Sequence, residues 1–332
     1  MISLIENIKA RLFRVLAEND ENYISGASLA KELLVSRNAI WKAVQSLRLE
    51  GYDISAVTNK GYRLNKSGDR LSEAAISGYI KTAGVFSVEL LKSVASTNTV
   101  LCGMAAKGAP EGYVVVAEEQ TAGRGRQGRS FHSPPDSGIY FSLLLRPGSK
   151  ADDAALVTSA AAVATAQAIG QITGVEVGIK WVNDLFYKNK KVCGILTEAT
   201  LDMESGMVES IVLGIGINIT RPENGFPGLL ENVATALIEK TEGKENIRCR
   251  LIAATLDNFW KYYLSLAQRG FLEEYRKRSI VLGRDIYVLS GEERIPAHAL
   301  AIDEDCRLIV RYENGKKATL NSGEVRVRAV DN

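Results

Sequence analysis

The apolar residues Ile5, Ile8, Leu12 and Leu16 recur every three to four positions, which predicts a helix over residues 3–18. A shorter helix is expected over 25–34, opened by a capping serine, Ser25. Val35-Ser36 reads as a tight turn. A third helix is expected over 37–50, with Ile40, Val44 and Leu47 facing inward and Arg37, Asn38, Lys42, Gln45 and Arg48 outward. A short helix, a tight turn and a second helix with a basic, amide-rich face form a helix-turn-helix pattern. Residues 51–54 and 56–64 then read as a hairpin with Asn59-Lys60-Gly61 at its tip, which is a wing. The same pattern also fits a small helical packing or dimerisation unit whose polar face is merely solvated.

Beyond a linker expected at 67–72, the pattern changes to mixed strands and helices. Strands are expected at 85–90, 113–117 and 139–145, with Ser96-Thr97-Asn98 starting a helix after the first. Residues 152–172 form an Ala-rich core helix. The run 175–184 begins strand-like and ends on polar residues, and 185–187 and 192–198 flank the lysine-bearing turn 188–191. Residues 211–219 read as a buried strand whose glycines mark a close approach. Helices are expected at 233–240 and 247–267. The last 50 or so residues carry short strands at 285–289, 297–302, 308–312 and 325–327, with Asn314-Gly315 as a hairpin signal, and suggest a small β-barrel. Strands followed by helices, without strict alternation, predict an α+β multidomain chain.

A length of 332 residues suits two or three such domains, and 46% hydrophobic and 24% charged residues are ordinary for globular proteins. The net charge of +2 argues against bulk coating of nucleic acid. Residues 1–66 nevertheless hold ten Lys/Arg against seven Asp/Glu, a local +3 that strengthens the winged-helix reading. The four cysteines are far apart without a CxxC pair, as expected of free thiols in a reducing compartment. The first residues lack the basic-then-apolar pattern of a signal peptide, and Thr158, Ser159, Thr165 and Gln167 interrupt the longest apolar stretch. The expectation is a soluble, cytoplasmic protein with no membrane partner.

The chemistry concentrates in Gln120-Thr121-Ala122-Gly123-Arg124-Gly125-Arg126-Gln127-Gly128-Arg129-Ser130, where glycines alternate with arginines. Glycine lets the backbone approach a ligand closely, and arginine supplies a permanent charge with a planar fork of donors. An anionic, phosphorylated ligand suits such a loop. The Gly-x-Gly-x-x-Gly spacing imitates a dinucleotide fingerprint, and Gly123 to Ser130 nearly matches a P-loop. Both require a helix after the loop, and here two prolines and a strand follow. Only two histidines, His132 and His298, are present, so zinc chemistry is not expected, and no nucleophile elbow supports a serine hydrolase. What remains is catalysis by positioning and charge neutralisation, with Lys191 the best single candidate beside Arg124 and Arg126. Lys191 also fits an exposed lysine of a charged turn. Asp184 could accept a hydrogen bond or help hold magnesium, or be an ordinary surface carboxylate.

Four separated motifs resemble the bifunctional biotin protein ligases of bacteria that are also biotin operon repressors, the BirA type. They are Ser96-Thr97-Asn98, the glycine-arginine loop, Lys180-Trp181-Val182-Asn183-Asp184, and Lys191-Val192-Cys193-Gly194-Ile195-Leu196. They occur in the family's order, after a winged helix and before a β-barrel, so the resemblance spans essentially the whole chain. It implies a winged helix-turn-helix over 1–66, a biotin/lipoate ligase-like α/β catalytic domain over 67–278 and an SH3-like β-barrel over 279–332. It implies that biotin and ATP, with Mg2+, give biotinyl-5′-AMP, and that a lysine on a carboxylase's biotin carboxyl carrier domain then takes the biotin. By position, Ser96, Thr97, Asn98 and Gln120 would hold biotin, with Arg124, Gly125 and Arg126 over its carboxylate and the phosphate. Lys191 would bridge biotin and the α-phosphate, Asn183, Asp184 and Gly194 would support the pocket, and Asn218 would face the adenine. No metal ligand is assigned.

The resemblance further implies a homodimer on operator DNA of biotin genes, with Ser36 and Arg37 among the DNA-binding residues, Asn38, Lys42 and Gln45 reaching bases and Lys60 at phosphate. Many relatives have proline where Val182 stands, and an extended backbone with little change of function is expected. A lipoate or octanoate ligase of the same fold, and a repressor that senses biotin without transferring it, are the alternatives. The complete glycine-arginine loop and Lys191 favour the biotin ligase.

Overall fold

The computed structural model describes residues 4–20, 22–66, 68–82, 84–147, 153–201, 206–241, 243–290, 293–321 and 324–327. The expected starts at residue 3, Ser67 and Asp152, and the last residues of the third domain, lie outside the described residues.

Helices α1 (Leu4–Glu18), α2 (Gly26–Glu32) and α3 (Arg37–Leu49) pack around Leu12, Phe13, Leu16, Leu29, Ile40, Val44 and Leu47, all buried. Ser25 and Ser36 cap the second and third, each side-chain oxygen accepting a hydrogen bond from the backbone three residues on. Strands β1 (Ile54–Val57) and β2 (Gly61–Leu64) pair antiparallel as the wing. Gly61 takes φ +112, and a Cβ there would fall 2.0 Å from the Ile24 carbonyl oxygen, so only glycine closes this turn. Arg48 is exposed on the outer face of α3, as expected, and from there donates to the Ile54 carbonyl at 3.0 Å, tying α3 to the wing.

The expected linker is a fixed joint. Asp69 and Arg248 form an ion pair at 2.7 Å whose side chains are 2% and 6% exposed. The Arg248 backbone also donates to Asp69, and the Cys249 thiol to the Arg70 carbonyl. Ser72 then caps α4 (Glu73–Tyr79), and Arg14 of α1 donates to the carbonyls of Gly78 and Ile80.

The central sheet has the order β3-β4-β5-β9-β8-β7-β6. Its strands are β3 (Ser87–Val94), β4 (Tyr113–Gln120), β5 (Gly138–Leu145), β6 (Gly178–Lys180), β7 (Asp184–Tyr187), β8 (Lys190–Leu201) and β9 (Val208–Asn218). Only the β3–β4 pair is parallel, in keeping with an α+β chain. Alternation along β4 sends Val114 and Val116 to the main core and Val115 to the opposite face, against α5 (Thr97–Ala105). The main-core face is covered by α6 (Asp153–Thr173) and α8 (Ile247–Leu264). Alpha-6 is long and apolar enough to cross a membrane, but its apolar surface is buried between sheet and α8, as in a core helix.

The helix expected at 233–240 does not form. A single turn, α7 (Leu230–Val233), is followed by irregular chain. There the N–H groups of Thr235, Leu237 and Ile238 donate to Lys191, Asn218 and Ile219, not to carbonyls four residues back. Tertiary partners outbid the local helical preference.

After α9 (Leu272–Arg278), strands β10 (Asp285–Ser290), β11 (Glu293–Ile302), β12 (Leu308–Tyr312), β13 (Lys317–Leu320) and β14 (Glu324–Val327) form an antiparallel sheet in the order β13-β12-β11-β10-β14. It is joined to the central domain by Trp181 Nε1 donating to the Cys306 carbonyl and by Ile280 N donating to the Ile179 carbonyl, both 2.9 Å.

Candidate functional site

A cavity of about 900 Å³ lies on the α5 side of the central sheet. Its floor is almost bare backbone. Along β9 the residues facing α5 run Val212, Gly214, Gly216, and on β8 Gly194 lies opposite Gly216. A Cβ on Gly214 would fall 2.0 Å from Asn98 Oδ1, and one on Gly216 would fall 2.6 Å from the Phe131 ring. The close approach expected of this strand is thus first made by the protein's own side chains.

One wall is the start of α5. Thr97 and Asn98 are each 3% exposed. Thr97 donates from both N and Oγ1 to Gln120 Oε1, at 2.9 and 3.1 Å, and Gln120 Nε2 donates to Ser133 Oγ at 2.9 Å. Asn98 Nδ2 donates to Glu198 at 2.8 Å, and Ser142 Oγ donates to Asn98 Oδ1 at 2.6 Å. Ser96 precedes the helix without a side-chain capping bond, leaving its hydroxyl at the cavity. These neutral donors and acceptors are locked in place, which suits a polar but uncharged ligand head.

The opposite rim is cationic. The glycine-arginine loop between β4 and β5 closes on itself through Gly125 N to Arg129 O and Phe131 N to Gly123 O, with Gln127 and Gly128 at positive φ. Arg124 pairs with Glu198 at 3.0 Å, and Arg126 Nη1 donates to Asn183 Oδ1 at 3.3 Å. Lys191 Nζ pairs with Asp184 Oδ1 at 2.7 Å and lies 5.9 Å from the Phe131 ring centroid. Asn183 is itself fixed by donating to the Ile195 carbonyl at 2.6 Å. Val182 does not continue an extended strand: residues 181–183 form a turn with a cis Trp181–Val182 peptide, and Tyr275 OH donates to the Val182 carbonyl. Among the described residues lining the cavity, six are cationic (Arg124, Arg126, Arg129, Lys180, Lys191 and Arg284) and one, Asp184, is a carboxylate. Such an imbalance favours an anionic ligand strongly. No cluster of three or more His, Cys, Asp or Glu placed to hold a metal is found among the described residues.

Of the residues singled out from the sequence, Ser96, Thr97, Asn98, Gln120, Arg124, Gly125, Arg126, Asp184, Lys191 and Gly194 all line this cavity. Asn218 is outside its lining, with its amide donating to the Thr235 carbonyl at 3.1 Å. Sequence reasoning missed Phe131, which follows directly on the loop motif, and Glu198, whose partners are 74 and 100 residues away. It also missed Ile280 and Arg284, which enter the cavity from beyond α9 and carry no motif. The buried thiols of Cys193 and Cys249 are pushed up by desolvation, and Cys306 rises to about 11 for the same reason, so none is a ready nucleophile.

Comparison with known proteins gives this geometry a family. Residues 90–218 match the Biotin/lipoate A/B protein ligase family, residues 9–63 an HTH domain, and residues 281–328 the Biotin protein ligase C terminal domain. The chain is 35% identical to the bifunctional ligase/repressor BirA of Bacillus spizizenii, over 93% of this chain and 96% of that protein. The chain belongs to the bifunctional biotin ligase/repressor family. The Escherichia coli member is 28% identical over 98% of both chains. A biotin protein ligase from Aquifex aeolicus, solved in complex with biotin and ATP, superposes with a TM-score of 0.59 at 28% identity, covering 73% of this chain and 99% of that one.

In this ligase/repressor the second candidate surface is α3 and the wing. Arg37, Asn38 and Lys42 are exposed on α3, Gln45 is half-buried, and Ser36 is engaged as the cap. Lys60 is exposed at the wing tip, one residue after Asn59 at φ 63.

Proposed function

We propose that this chain is an ATP-dependent biotin protein ligase that also represses transcription. The observation that carries the ligase reading is the cavity's division into a neutral amide-and-hydroxyl wall and a cationic rim. Biotin's ureido head suits the first, and its carboxylate, with the phosphates of ATP, suits the second. A biotin carboxylate oxygen attacks the α-phosphorus, the bond to the leaving phosphate breaks, and pyrophosphate departs with biotinyl-5′-AMP left behind. A lysine amine of the acceptor then attacks the acyl carbon and AMP leaves. Ser96, Thr97, Asn98 and Gln120 hold biotin in this reading. Arg124, Gly125 and Arg126 face the carboxylate and phosphate, and Lys191 neutralises the charge that grows at the α-phosphate. The 2.7 Å pair with Asp184 keeps the Lys191 ammonium at that point. Asn218 supports the nucleotide side from outside the cavity lining, its side chain donating to the Thr235 carbonyl and its own carbonyl accepting from Leu237 N.

Magnesium fits as an ion carried by the phosphates, since it keeps several waters and needs few protein carboxylates. Asp184 is the residue that would meet it, and it would offset phosphate charge. The acceptor is the biotin carboxyl carrier domain of acetyl-CoA carboxylase or a related carboxylase. The repressor acts in the cytoplasm as a homodimer on operator DNA of biotin genes, with the adenylate as corepressor. Its α3 reads bases through Arg37, Asn38, Lys42 and Gln45. We place the domain boundaries at 1–66, 67–278 and 279–332.

The test is transfer of labelled biotin to a purified carrier domain with and without ATP and magnesium. ATP-dependent labelling supports the ligase. Binding of both ligands without labelling would leave a sensor-repressor, and preference for lipoate would indicate the sister activity. Two substitutions refine the picture. Gly214→Ala forces Asn98 to move and is expected to weaken biotin binding about tenfold, the usual scale of overpacking; unchanged affinity by calorimetry would remove Asn98 from the biotin wall. Lys60→Ala is expected to weaken binding to all duplexes alike and to reduce the salt slope by about one. A loss confined to one base position would contradict a phosphate contact.

A further inference from the structure

Trp41 is 52% exposed, whereas the chain's other two tryptophans, Trp181 and Trp260, are 3% and 8% exposed. It is the fifth residue of α3. At about 100° per residue, Arg37, Trp41, Gln45, Asn38 and Lys42 follow one another around an outward arc of about 140°. Ile40, Ala43, Val44 and Leu47 occupy the inward arc and are buried. Trp41 and, two turns further on, Leu49 are the large apolar side chains exposed on α3, and Trp41 is the one that stands among its polar residues near the N-terminal end; large exposed apolar groups mark interaction sites.

Its surroundings select the occupant. Alpha-3 contains no acidic residue, and Arg37 and Lys42 lie on the same outward arc as Trp41. An apolar protein groove would have to desolvate both cations without a counter-charge. A polyanion with an apolar spot on its surface meets both demands, and the DNA major groove is such a surface: the C5-methyl of thymine is its apolar group. Side chains of a helix lean toward its N-terminus, which carries the Trp41 ring toward Arg37 and the end of α3 that reaches base edges.

We propose that Trp41 packs on a thymine methyl in the major groove and supplies the apolar part of the sequence preference, beside the hydrogen bonds of Asn38 and Gln45. This rests on the DNA-binding reading given above. Lys60 sets how tightly any duplex is held; Trp41 sets which one.

The experiment selects duplexes from a pool with a randomised core on the full chain saturated with biotin and ATP. Trp41→Ala and Trp41→Phe are then compared with the parent on the selected duplex and on the unselected pool. Trp41→Ala is expected to lose about tenfold in the ratio of selected to unselected affinity, at unchanged salt slope. Sequences selected by Trp41→Ala should lose a T·A preference at one position per half-site, while Trp41→Phe keeps most of it. In the ligand-saturated parent, the selected duplex should shield the red-edge tryptophan emission from acrylamide, and Trp41→Phe should lack that component. Biotin transfer should be unchanged in both variants. An unaltered affinity ratio, or emission that stays equally quenchable, would overturn the proposal. A parent protein that prefers no duplex at all would instead overturn the DNA-binding reading, and this proposal with it.

Discussion

Replacing Lys191 with alanine is expected to slow adenylate formation by roughly 10²- to 10³-fold, the cost of removing one preorganised charge-stabilising donor. The measurement is pyrophosphate release with biotin and ATP at saturation. The fold should survive, because the Lys191 and Asp184 side chains are 33% and 23% exposed, and pairs this wet add little to stability. Asp184→Asn is the informative companion. It keeps the ammonium but loosens its tether, so a smaller loss of rate is expected, with the substrate KM values changing less than kcat. Near-normal pyrophosphate release by Lys191→Ala would sink the assignment, and equal losses in the two variants would mean that the pair acts only as a unit.

The second large effect concerns the joint between the winged helix and the catalytic domain. Asp69→Ala is expected to destabilise the protein by about 3–5 kcal/mol, because it leaves the buried Arg248 guanidinium facing the exposed Asp136 carboxylate at 3.8 Å in place of its close, buried partner. The Arg248 side chain is only 6% exposed and donates from Nε to the Asp69 carboxylate and from Nη2 to the Asp69 backbone carbonyl. Urea unfolding followed by circular dichroism measures the loss. The double variant Asp69→Ala with Arg248→Met removes both charges and should recover most of it, since a buried pair itself contributes little net stability against an apolar replacement. A loss below about 1 kcal/mol in the single variant would show that solvent reaches Arg248 after all.

What could be read in advance divides by distance along the chain. The winged helix was legible because its apolar spacing, its two capping serines and its wing glycine all act within a few residues. The glycine-arginine loop was legible for the same reason, whereas Val182, expected to be extended, lies in the 181–183 turn. The segment 233–240 was misread as helix because its partners, Lys191, Asn218 and Ile219, lie on strands far upstream and take the N–H groups that a helix needs. The 67–72 segment looked like a linker by composition, yet Asp69 is buried against a residue 179 positions away. Glu198 and Arg284 carry no local signature, and only the folded sheet and the C-terminal domain bring them beside the loop. Trp41 was visible as a letter, but its exposure was not.

The bare floor of the cavity limits how this enzyme's appetite can be broadened. Bump-and-hole redesign enlarges a binding site by trimming a side chain beneath a bulkier analogue. At positions 194, 214 and 216 there is no side chain to trim, and anything added strikes Lys191, Asn98 or Phe131. The volume that can be removed directly above this floor is the Phe131 ring, which rests on Gly216 and belongs to the segment just past the loop. A library aimed at a swollen ligand should therefore begin at Phe131 and leave the strands alone.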